Sequence, residues 1–350
     1  VGELILPGAR FPLQMAQDPD VGSNSLLSYQ LTENPSFRLE VKETPSGKKQ
    51  PELVLEAALD REKQSSFEMV LTAVDGGSPA RSGTVQIRIN VTDANDNAPV
   101  FSKSSYEARV RENVPTGSLV LQVRATDADA GSNGRVSYSF SNVPDAVRTV
   151  FSIDSESGDI RNVGILDFEE RNKYTFEVEA MDGGGLSGHS QVHIEITDEN
   201  DNEPEITTLS VSSSVPEDSP PGTVVALIKV RDRDSGENGK VWCELEGESP
   251  LSIVASSGSS YKVLVLVKAL DREEAAYHEL VLTAVDGGDP PRTGSTRIRV
   301  VVLDANDNAP VFNQQVYTVR VREDVPVGSV LLTLSATDAD DGTNKEVKYS

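Results

Sequence analysis

The chain has 350 residues, of which 37% are hydrophobic and 25% charged, and its length predicts two or three domains. It holds no run of about 20 apolar residues long enough to cross a membrane, and its net charge of −24, from 56 acidic and 32 basic residues, disfavours nucleic acid and anionic membranes as partners. Its single cysteine, Cys243, excludes an intrachain disulfide and a cysteine-rich zinc site.

The two ends of the chain predict an excerpt of a longer protein. Val1-Gly2-Glu3 begins no signal-like segment, and Ser350 falls inside a strand-like pattern. The excess of carboxylates has a further implication. In a folded protein such groups are dispersed, paired with cationic side chains or bound to metal ions, and their order along the chain decides which.

One acidic motif, D-x-N-D-N-x-P, divides the chain into repeats. Asp93-Ala94-Asn95-Asp96-Asn97-Ala98-Pro99 recurs as Asp198-Glu199-Asn200-Asp201-Asn202-Glu203-Pro204 and as Asp304-Ala305-Asn306-Asp307-Asn308-Ala309-Pro310. We call this segment the linker motif, and its spacing of about 105 residues equals one small domain. The sequence therefore predicts three whole repeats, 1–99, 100–204 and 205–310, and the start of a fourth at 311–350.

Four other acidic features recur in a fixed order within the repeats. They are an early glutamate, a D-x-D motif, a D-x-E motif and the aspartate of an A-x-D-G motif. A constant register across repeats indicates a shared structural role rather than solvated acidic loops. The members are Glu3, Glu112, Glu217 and Glu323; Asp18/Asp20, Asp127/Asp129, Asp232/Asp234 and Asp338/Asp340; Asp60/Glu62, Asp167/Glu169 and Asp271/Glu273; and Asp75, Asp182 and Asp286.

Apolar and polar residues alternate strictly before the linker and A-x-D-G motifs. Period two is typical of a strand with one buried face, and no helical stripe of useful length occurs. The pattern predicts an all-β fold of tandem Greek-key sandwiches with immunoglobulin-like architecture and seven strands each. The predicted inward residues are Ile87, Ile89 and Val91; Val192, Ile194 and Ile196; Ile298, Val300 and Val302; Phe67, Met69, Leu71 and Ala73; Tyr174, Phe176, Val178 and Ala180; and Leu280, Leu282 and Ala284.

The acidic motifs supply the ligands that calcium prefers. Calcium binds six to eight carboxylate, amide and carbonyl oxygens at about 2.3–2.6 Å, and the motifs offer these oxygens and no soft ligands. The linker motif lies at each boundary between repeats, which we call a joint. Because an uncompensated buried carboxylate costs several kcal/mol, so many of them at one joint predict bound divalent cations.

The order and spacing of these motifs resemble consecutive extracellular cadherin repeats over essentially the whole chain. In that family three calcium ions fill each joint. They are bound by the glutamate and D-x-E motif of the preceding repeat, by the linker motif, and by the D-x-D and A-x-D-G motifs of the following repeat. The resemblance therefore implies cadherin sandwiches joined end to end, with calcium as the cofactor of every complete joint.

The resemblance also implies a ligand set for each joint. The first set is Glu3, Asp60, Glu62, Asp93, Asn95, Asp96, Asp127, Asp129 and Asp182, with backbone oxygens of Ala94, Asn97 and Asn133. The second is Glu112, Asp167, Glu169, Asp198, Asn200, Asp201, Asp232, Asp234 and Asp286, with backbone oxygens of Glu199, Asn202 and Asn238. The third is Glu217, Asp271, Glu273, Asp304, Asn306, Asp307, Asp338 and Asp340, with backbone oxygens of Ala305, Asn308 and Asn344. A weak or empty half-site is expected at Asp18, Asp20 and Asp75, with Glu323 as its downstream counterpart.

Finer details resemble the clustered protocadherins, in a γ-like subgroup. Asp167-Phe168-Glu169 and Gly183-Gly184-Gly185 are similar to the third extracellular repeat, and Arg10-Phe11-Pro12-Leu13 to the second. The chain would then run from the second repeat into the start of the fifth.

This resemblance implies the extracellular part of a single-pass plasma-membrane protein of neuronal cells. The expected function is calcium-dependent homophilic adhesion through an antiparallel trans dimer with the same protein on an opposing cell, with cis partners among related protocadherins. Identity would be read by exposed surface within 1–204, including the hairpin 43–51 and the first strands near 103–111.

Two other functional classes are weighed against this one. An enzyme is disfavoured because each acidic pair recurs in every repeat, whereas a catalytic site is normally built once. A mechanical spacer cadherin without self-recognition would carry the same motifs, so it stays open as the alternative.

A few residues outside the motifs carry weaker signals. His189 and His193 have the spacing of a helical zinc pair but flank a predicted strand, so we interpret them as exposed histidines. Cys243 is in phase with inward residues and is predicted to be a buried thiol. Trp242 is out of phase, which predicts either an exposed contact residue or one partly covered by a loop. Asn90, in Asn90-Val91-Thr92, is the predicted glycosylation site.

Overall fold

In a computed structural model, nearly all of the regular secondary structure of the chain is β-strand, as the alternation predicts, and most strand pairs are antiparallel. The structure describes residues 1–25, 27–247, 249–255 and 260–350. They form two compact units, Val1–Thr197 and Asp198–Ser350. Among the described residues, no helix has both the length and the apolarity that a membrane span requires.

The first pair of sheets belongs to the Val1–Thr197 unit. One sheet has the order β1-β4-β3 and the other β2-β5-β6, and a short 3-10 helix spans Gly22–Ser25. Phe37 and Phe67 meet edge to face in the core between the sheets, with ring centroids 5.3 Å apart. The structure has six strands here where seven were predicted, together with one isolated parallel bridge between Gly2 and Thr92. The strands are β1 (Arg10–Pro12), β2 (Ser28–Leu31), β3 (Phe37–Glu43), β4 (Lys49–Leu55), β5 (Ser66–Val74) and β6 (Ser82–Asn90).

The second pair of sheets follows in the same unit. A four-stranded sheet has the order β11-β14-β15-β8, in which β8 lies parallel to β15, and a three-stranded sheet has the order β12-β13-β9. Two short strands, β7 and β10, pair separately, and a single helical turn, α1, spans Asp145–Arg148. The strands are β7 (Val100–Phe101), β8 (Ser105–Arg111), β9 (Leu119–Gln122), β10 (Ala125–Thr126), β11 (Ser137–Ser141), β12 (Phe151–Ile153), β13 (Asp159–Asn162), β14 (Lys173–Met181) and β15 (Ser187–Thr197).

The Asp198–Ser350 unit holds a third pair of sheets. Their orders are β16-β18-β21-β20 and β17-β23-β22-β19, with β17 parallel to β23. The pair β24-β25 lies further along the chain, and residues 346–350 form no strand, contrary to the strand-like pattern at Ser350. The strands are β16 (Glu205–Val211), β17 (Ser214–Pro216), β18 (Val224–Arg231), β19 (Trp242–Glu246), β20 (Leu251–Ala255), β21 (Tyr261–Leu266), β22 (Tyr277–Val285), β23 (Thr293–Leu303), β24 (Val311–Phe312) and β25 (Ala336–Thr337).

The predicted strand phase is confirmed in all three pairs of sheets. The alternating residues of β14 and β15 are buried from Tyr174 to Ile196, as are Leu280, Leu282 and Ala284 on β22. Each fully buried aliphatic or aromatic side chain contributes about 1.5–3 kcal/mol, so the alternation is sufficient to fix the register of the strands.

The strand phase also accounts for whether the singled-out residues outside the acidic motifs are buried or exposed. Trp242 is 55% exposed, whereas Cys243 packs against the core of the third pair of sheets, where burial raises the pKa of its thiol. His189 and His193 lie within β15, not beside it as the sequence predicted, because the strand continues through both, and their side chains are exposed. Asn90 ends β6 in an exposed position.

The acidic motifs begin where strands end, so they lie at the ends of the sheets and not along an edge strand. The main chain leaves the sheet at these points, so carboxylates from several loops converge without disturbing the ladder of backbone hydrogen bonds. The strands that end directly before an acidic motif are β5 before Asp75, β10 before Asp127, β14 before Asp182, β15 before Asp198, β18 before Asp232, β22 before Asp286, β23 before Asp304 and β25 before Asp338.

Candidate metal centres

A buried glutamate anchors the acidic cluster of the first joint. Glu3 is 2% exposed. Its Oε1 atom accepts a hydrogen bond of 2.6 Å from the backbone N–H of Ala94, and its Oε2 atom accepts one of 2.8 Å from the backbone N–H of Arg61. Charge-assisted hydrogen bonds of this kind are strong, so they fix the carboxylate between the linker motif and the D-x-E motif.

Two groups of carboxylates share Glu62. Single oxygens of Glu3, Glu62 and Asp93 lie within 4.8 Å of one another, and so do oxygens of Glu62, Asp96 and Asp129. Burial, followed by the charge of Glu3, raises the pKa of Glu62, and burial, followed by the charges of Glu3 and Asp129, raises the pKa of Asp96. The raised pKa values reflect burial first and repulsion between the carboxylates second, and a bound divalent cation would favour the charged form of both groups.

Asp60 lies at the outer side of this cluster. Its Oδ2 atom accepts a hydrogen bond of 2.6 Å from Lys63 Nζ, and this contact lowers the pKa of Asp60. The pair is largely solvated, so it contributes little to stability. Asp60 therefore stays ionised and available as a ligand at the rim.

The D-x-D motif of the second repeat meets the linker from the other side. Asp129 accepts hydrogen bonds from the backbone N–H of Asn97 (3.3 Å) and from Asn97 Nδ2 (2.7 Å), while its own N–H donates to Asp127 Oδ1 (2.8 Å). Asp182 Oδ1 accepts backbone N–H groups from the loop that follows it, at 2.5 Å for Gly185. The first joint thus draws residues from both predicted repeats.

Three buried oxygens of the first joint have no hydrogen-bond donor within the part of the chain that the structure describes. They are Asn95 Oδ1, Asp127 Oδ2 and Asp182 Oδ2. A buried acceptor left without a donor costs about 1–3 kcal/mol, and more when it is charged. Hard oxygen donors of this kind, and no nitrogen or sulfur, fit the coordination preference of calcium.

The second unit repeats this set of orphaned oxygens. Asn200 Oδ1, Asp232 Oδ2 and Asp286 Oδ2 are buried and find no donor among its described residues. Burial, followed by the charges of neighbouring aspartates, raises the pKa of both Asp232 and Asp234. The same three motif positions are therefore orphaned in both units, which share the motifs and differ elsewhere in sequence.

The remaining residues predicted for the second joint belong to the first unit. Glu112, Asp167 and Glu169 form their own group of oxygens within 4.8 Å of one another. Glu112 is 1% exposed, and its Oε2 atom accepts a hydrogen bond of 2.7 Å from the backbone N–H of Phe168. This anchoring matches that of Glu3 by Arg61.

The third joint has the same construction. Glu217 accepts backbone N–H groups from Ala305 (2.6 Å) and Arg272 (2.7 Å), and oxygens of Glu217, Asp271 and Glu273 lie within 4.8 Å of one another. Burial, followed by the charges of Glu217 and Asp340, raises the pKa of Asp307. Asp340 Oδ2 is a further buried oxygen without a donor among the described residues.

The first aspartate of the linker motif differs from the other predicted ligands. Asp93 Oδ1 accepts the backbone N–H of Ala130 and Oδ2 accepts Asn133 Nδ2, both at 2.8 Å. Although burial opposes the change, these hydrogen bonds and Arg61 together lower the pKa of Asp93. Its role as a calcium ligand stays a prediction, as do the roles of all the other predicted side chains and backbone oxygens.

The predicted amino-terminal half-site has similar local geometry but more exposure. The backbone N–H of Asp20 donates to Asp18 Oδ1 (2.8 Å), and Asp75 Oδ1 accepts backbone N–H groups from Gly77 and Arg81. Asp20 is exposed, whereas its counterpart Asp129 is buried. Weak binding at this half-site therefore stays the prediction. Glu323 is exposed as well.

Sequence reasoning missed two glycines that seat the linker. A methyl group at Gly184 would lie 2.2 Å from Cγ of Asn95, and one at Gly288 would lie 2.1 Å from Nδ2 of Asn200. A side chain at either position would displace the asparagine of the linker motif. The signal was present as the Gly-Gly pair that follows Asp75, Asp182 and Asp286, but the pattern alone indicated only a turn.

Comparison with known proteins adds an independent finding. A family model described as the cadherin domain matches residues 3–92, 106–197 and 211–303. Protocadherin gamma-B2 of Homo sapiens is 51% identical over 350 residues, which are all of this chain and 38% of that relative. The chain therefore spans well under half the length of this relative.

Solved structures agree with the sequence comparison. Protocadherin Gamma B2 extracellular cadherin domains 1-5 is 48% identical with a TM-score of 0.92, covering 99% of this chain and 65% of that one. PcdhgB3 EC1-4 is 50% identical with a TM-score of 0.83, covering 87% of this chain and 73% of that one.

Proposed function

The chain belongs to the cadherin family, among the clustered protocadherins, and from this premise we propose that it mediates calcium-dependent homophilic cell–cell adhesion and recognition. Its relatives are adhesion proteins and not enzymes. The observation that carries the calcium part of the proposal is the matched set of orphaned oxygens, Asn95, Asp127 and Asp182 in the first unit and Asn200, Asp232 and Asp286 in the second.

Each joint would hold calcium between residues of two successive repeats. Bound calcium would supply the positive charge that compensates carboxylates drawn from both sides of the joint. Three ions per complete joint are proposed, with boundaries between repeats at 99/100, 204/205 and 310/311. The ligands are those predicted from the motifs.

The side chains of this protein prepare the site before any ion arrives. Glu3 holds the linker motif against the D-x-E motif, and Asn97 holds the linker against Asp129 of the following repeat. Because these contacts hold the loops against one another, the carboxylates lie close together instead of pointing into solvent. The expected result is a chain that is stiff with calcium and hinged without it.

Small-angle scattering of the chain in millimolar calcium and in excess chelator tests this proposal. We expect an extended particle that becomes shorter and more heterogeneous on chelation, while circular dichroism still reports the strands. A profile that does not respond to chelation, or strands that melt with it, would refute the joint as the calcium-dependent element.

Recognition is the second part of the proposal. The hairpin between β3 and β4 exposes residues 45–49, including Lys48 and Lys49, on the part of the chain predicted to read identity. Homophilic recognition requires a surface that differs between related proteins, and an exposed hairpin meets that need without touching the calcium motifs. Lateral surfaces of the second- to fourth-like repeats would form an antiparallel trans dimer.

Bead aggregation with the complete extracellular region tests recognition. Beads that carry Lys48→Glu together with Lys49→Glu should segregate from wild-type beads, whereas Lys268→Glu, an exposed change outside 1–204, should leave mixing intact. Unchanged mixing of the double variant would count against the hairpin.

A spacer cadherin is the alternative to a recognition segment. Sedimentation separates the two, because a recognition segment dimerises as concentration rises and a spacer remains monomeric. Extracellular placement in a single-pass neuronal membrane protein, cis partners among related protocadherins and a glycan on Asn90 belong to the same proposal.

A further inference from the structure

Arg61, the middle residue of the first D-x-E motif, lies inside the first joint with a side chain that is 18% exposed. Its Nε atom lies 2.5 Å from Asp93 Oδ1 of the linker motif, and its Nη2 atom pairs with Glu62. Nη2 also donates a hydrogen bond of 2.9 Å to the carbonyl of Ala128, in the D-x-D motif of the following repeat. One guanidinium therefore contacts the preceding repeat, the linker and the following repeat.

Arg272 has the equivalent partners in the third joint, and its Nε atom makes a hydrogen bond where Arg61 Nε makes an ion pair without hydrogen-bond geometry. Its Nε atom donates to Asp304 Oδ1 (2.7 Å), and its Nη2 atom donates to Glu273 Oε1 (2.6 Å) and to the carbonyl of Ala339 (3.0 Å). The side chain is 17% exposed. Because three equivalent partners recur in two joints, the arrangement is a built feature and not one rotamer of a mobile surface arginine.

The second D-x-E motif keeps the backbone contact and lacks the cation. Phe168 occupies the middle position, and its N–H donates to Glu112 as the N–H of Arg61 donates to Glu3. The Phe168 side chain is partly buried and packs against the hydrophobic core of its own sheets. The arginine is therefore not needed to anchor the glutamate, so its side chain has another role.

Two roles for the guanidinium predict opposite effects on calcium. A cation beside the ligands repels calcium, so a residue that only balances charge weakens calcium binding. A rigid guanidinium that holds three segments together pre-organises the calcium ligands. Loss of such contacts around the ligands typically lowers metal affinity about 10–100-fold. The geometry favours the second role, because the bond to the Ala128 carbonyl adds orientation and balances no charge.

We propose that Arg61 and Arg272 are positioning residues that tie the linker and the following repeat to the D-x-E motif independently of calcium. The first and third joints then keep partial order when calcium is removed. This inference rests on the proposed calcium joints, but its decisive readout is the calcium-free state.

The test measures one joint directly in the full chain. In a Cys243→Ser background, spin labels replace Thr84 and Ser139, which are exposed and lie in the first and second pairs of sheets of one unit. Electron paramagnetic resonance gives the distribution of distances between the labels in chelator and along a calcium titration. The variants are Arg61→Met, which removes the cation, and Arg61→Lys, which keeps the charge without the guanidinium.

Arg88→Met is the matched control, since Arg88 pairs with Glu68 on an exposed surface and has the same charge. In chelator we expect a broader distribution for Arg61→Met and Arg61→Lys than for wild type and Arg88→Met. Calcium should bind the first joint of Arg61→Met about 10-fold more weakly. Circular dichroism verifies that every variant is folded, and Arg272→Met with scattering as the readout provides a second case.

The inference would be overturned if Arg61→Met and the wild type have equally broad distance distributions in chelator and Arg61→Met binds calcium more tightly. The arginine would then act only as a counter-charge. If the wild-type distribution does not narrow with calcium at all, the proposed calcium joint fails. The comparison of widths in chelator still decides the role of the arginine in that case.

Discussion

The backbone N–H of Ala94 donates to Glu3 Oε1 across 91 residues of sequence, at 2.6 Å. The first joint is therefore organised by the chain itself, and the early glutamate closes the repeat onto its own linker. The equivalent contact of Glu217 with Ala305 closes the third repeat in the same way.

Replacing Glu3 by glutamine tests this closure. The amide oxygen of glutamine still accepts one backbone N–H, but the charge is lost. The NH₂ group would face the second backbone N–H, and because both are donors, one hydrogen bond is lost. Calcium affinity of the first joint should fall by at least about 10-fold, measured by the same spin-label titration. Glu68→Gln, on the exposed face of β5, should bind calcium as the wild type does. Equal affinity of both variants would contradict the anchoring role.

Asp129→Ala should loosen the first joint and leave the second repeat folded. The Asp129 side chain accepts hydrogen bonds from Asn97 of the linker, whereas the core of that repeat is formed by β-strand side chains such as Val192 and Ile194. Scattering should show a shorter particle in calcium, with an unchanged strand signal by circular dichroism. Asp20→Ala, the same change in the exposed half-site, should leave the particle extended. Cooperative loss of the whole repeat in excess calcium would contradict this prediction.

The pH dependence should reverse between calcium-free and calcium-bound protein. The pKa values of Glu62, Asp96, Asp232, Asp234 and Asp307 are raised in the folded state, so without calcium the folded chain takes up protons before the unfolded chain does. In chelator, stability should rise as pH falls from 7 towards about 4, the ordinary carboxylate pKa. In calcium it should fall over the same range, since protons compete with the metal.

Thermal unfolding at several pH values measures both trends. Other carboxyl groups have lowered pKa values and act in the opposite sense, but only at lower pH, where their contribution to stability is lost as they become protonated. They are Glu40, Glu52, Asp60, Asp75, Asp93, Asp154, Asp304 and Asp341. A melting temperature in chelator that declines steadily from pH 7 to pH 5 would contradict the prediction.

Gly184→Ala should weaken the first joint by displacing Asn95. The added methyl group would lie 2.2 Å from the amide carbon of that side chain, and such overpacking costs about 1–3 kcal/mol. Calcium affinity should fall together with the melting temperature in calcium. Gly83→Ala is the control, because nothing lies within 4 Å of a methyl group there. Equal calcium affinity and equal melting temperature of the two alanine variants would show that the contact between position 184 and Asn95 does not restrict the side chain at 184.

The strand phase could be predicted from the sequence because it follows from periodicity, whereas the ligand sets of the joints rest on the resemblance to cadherin repeats and stay predictions. Phe67 and Met69 alternate with polar residues, and this alone assigns the buried face. The contacts of Arg61 and the seat at Gly184 could not be predicted, because they depend on the distance between loops far apart in the chain. The motif also suggested one role for every aspartate, whereas the hydrogen bonds to both oxygens of Asp93 set it apart.

Gly184 is an exposed residue at which any side chain would have to displace Asn95, and a side chain at Gly288 would have to displace Asn200. On the proposed function, the outer surface has to vary between related proteins, yet a larger residue in this loop would displace the linker motif. Diversification among paralogues should therefore leave an invariant strip beside every joint. Antibodies or small binding domains selected against that strip would recognise many members of the family, while those raised against the β3–β4 hairpin would recognise one.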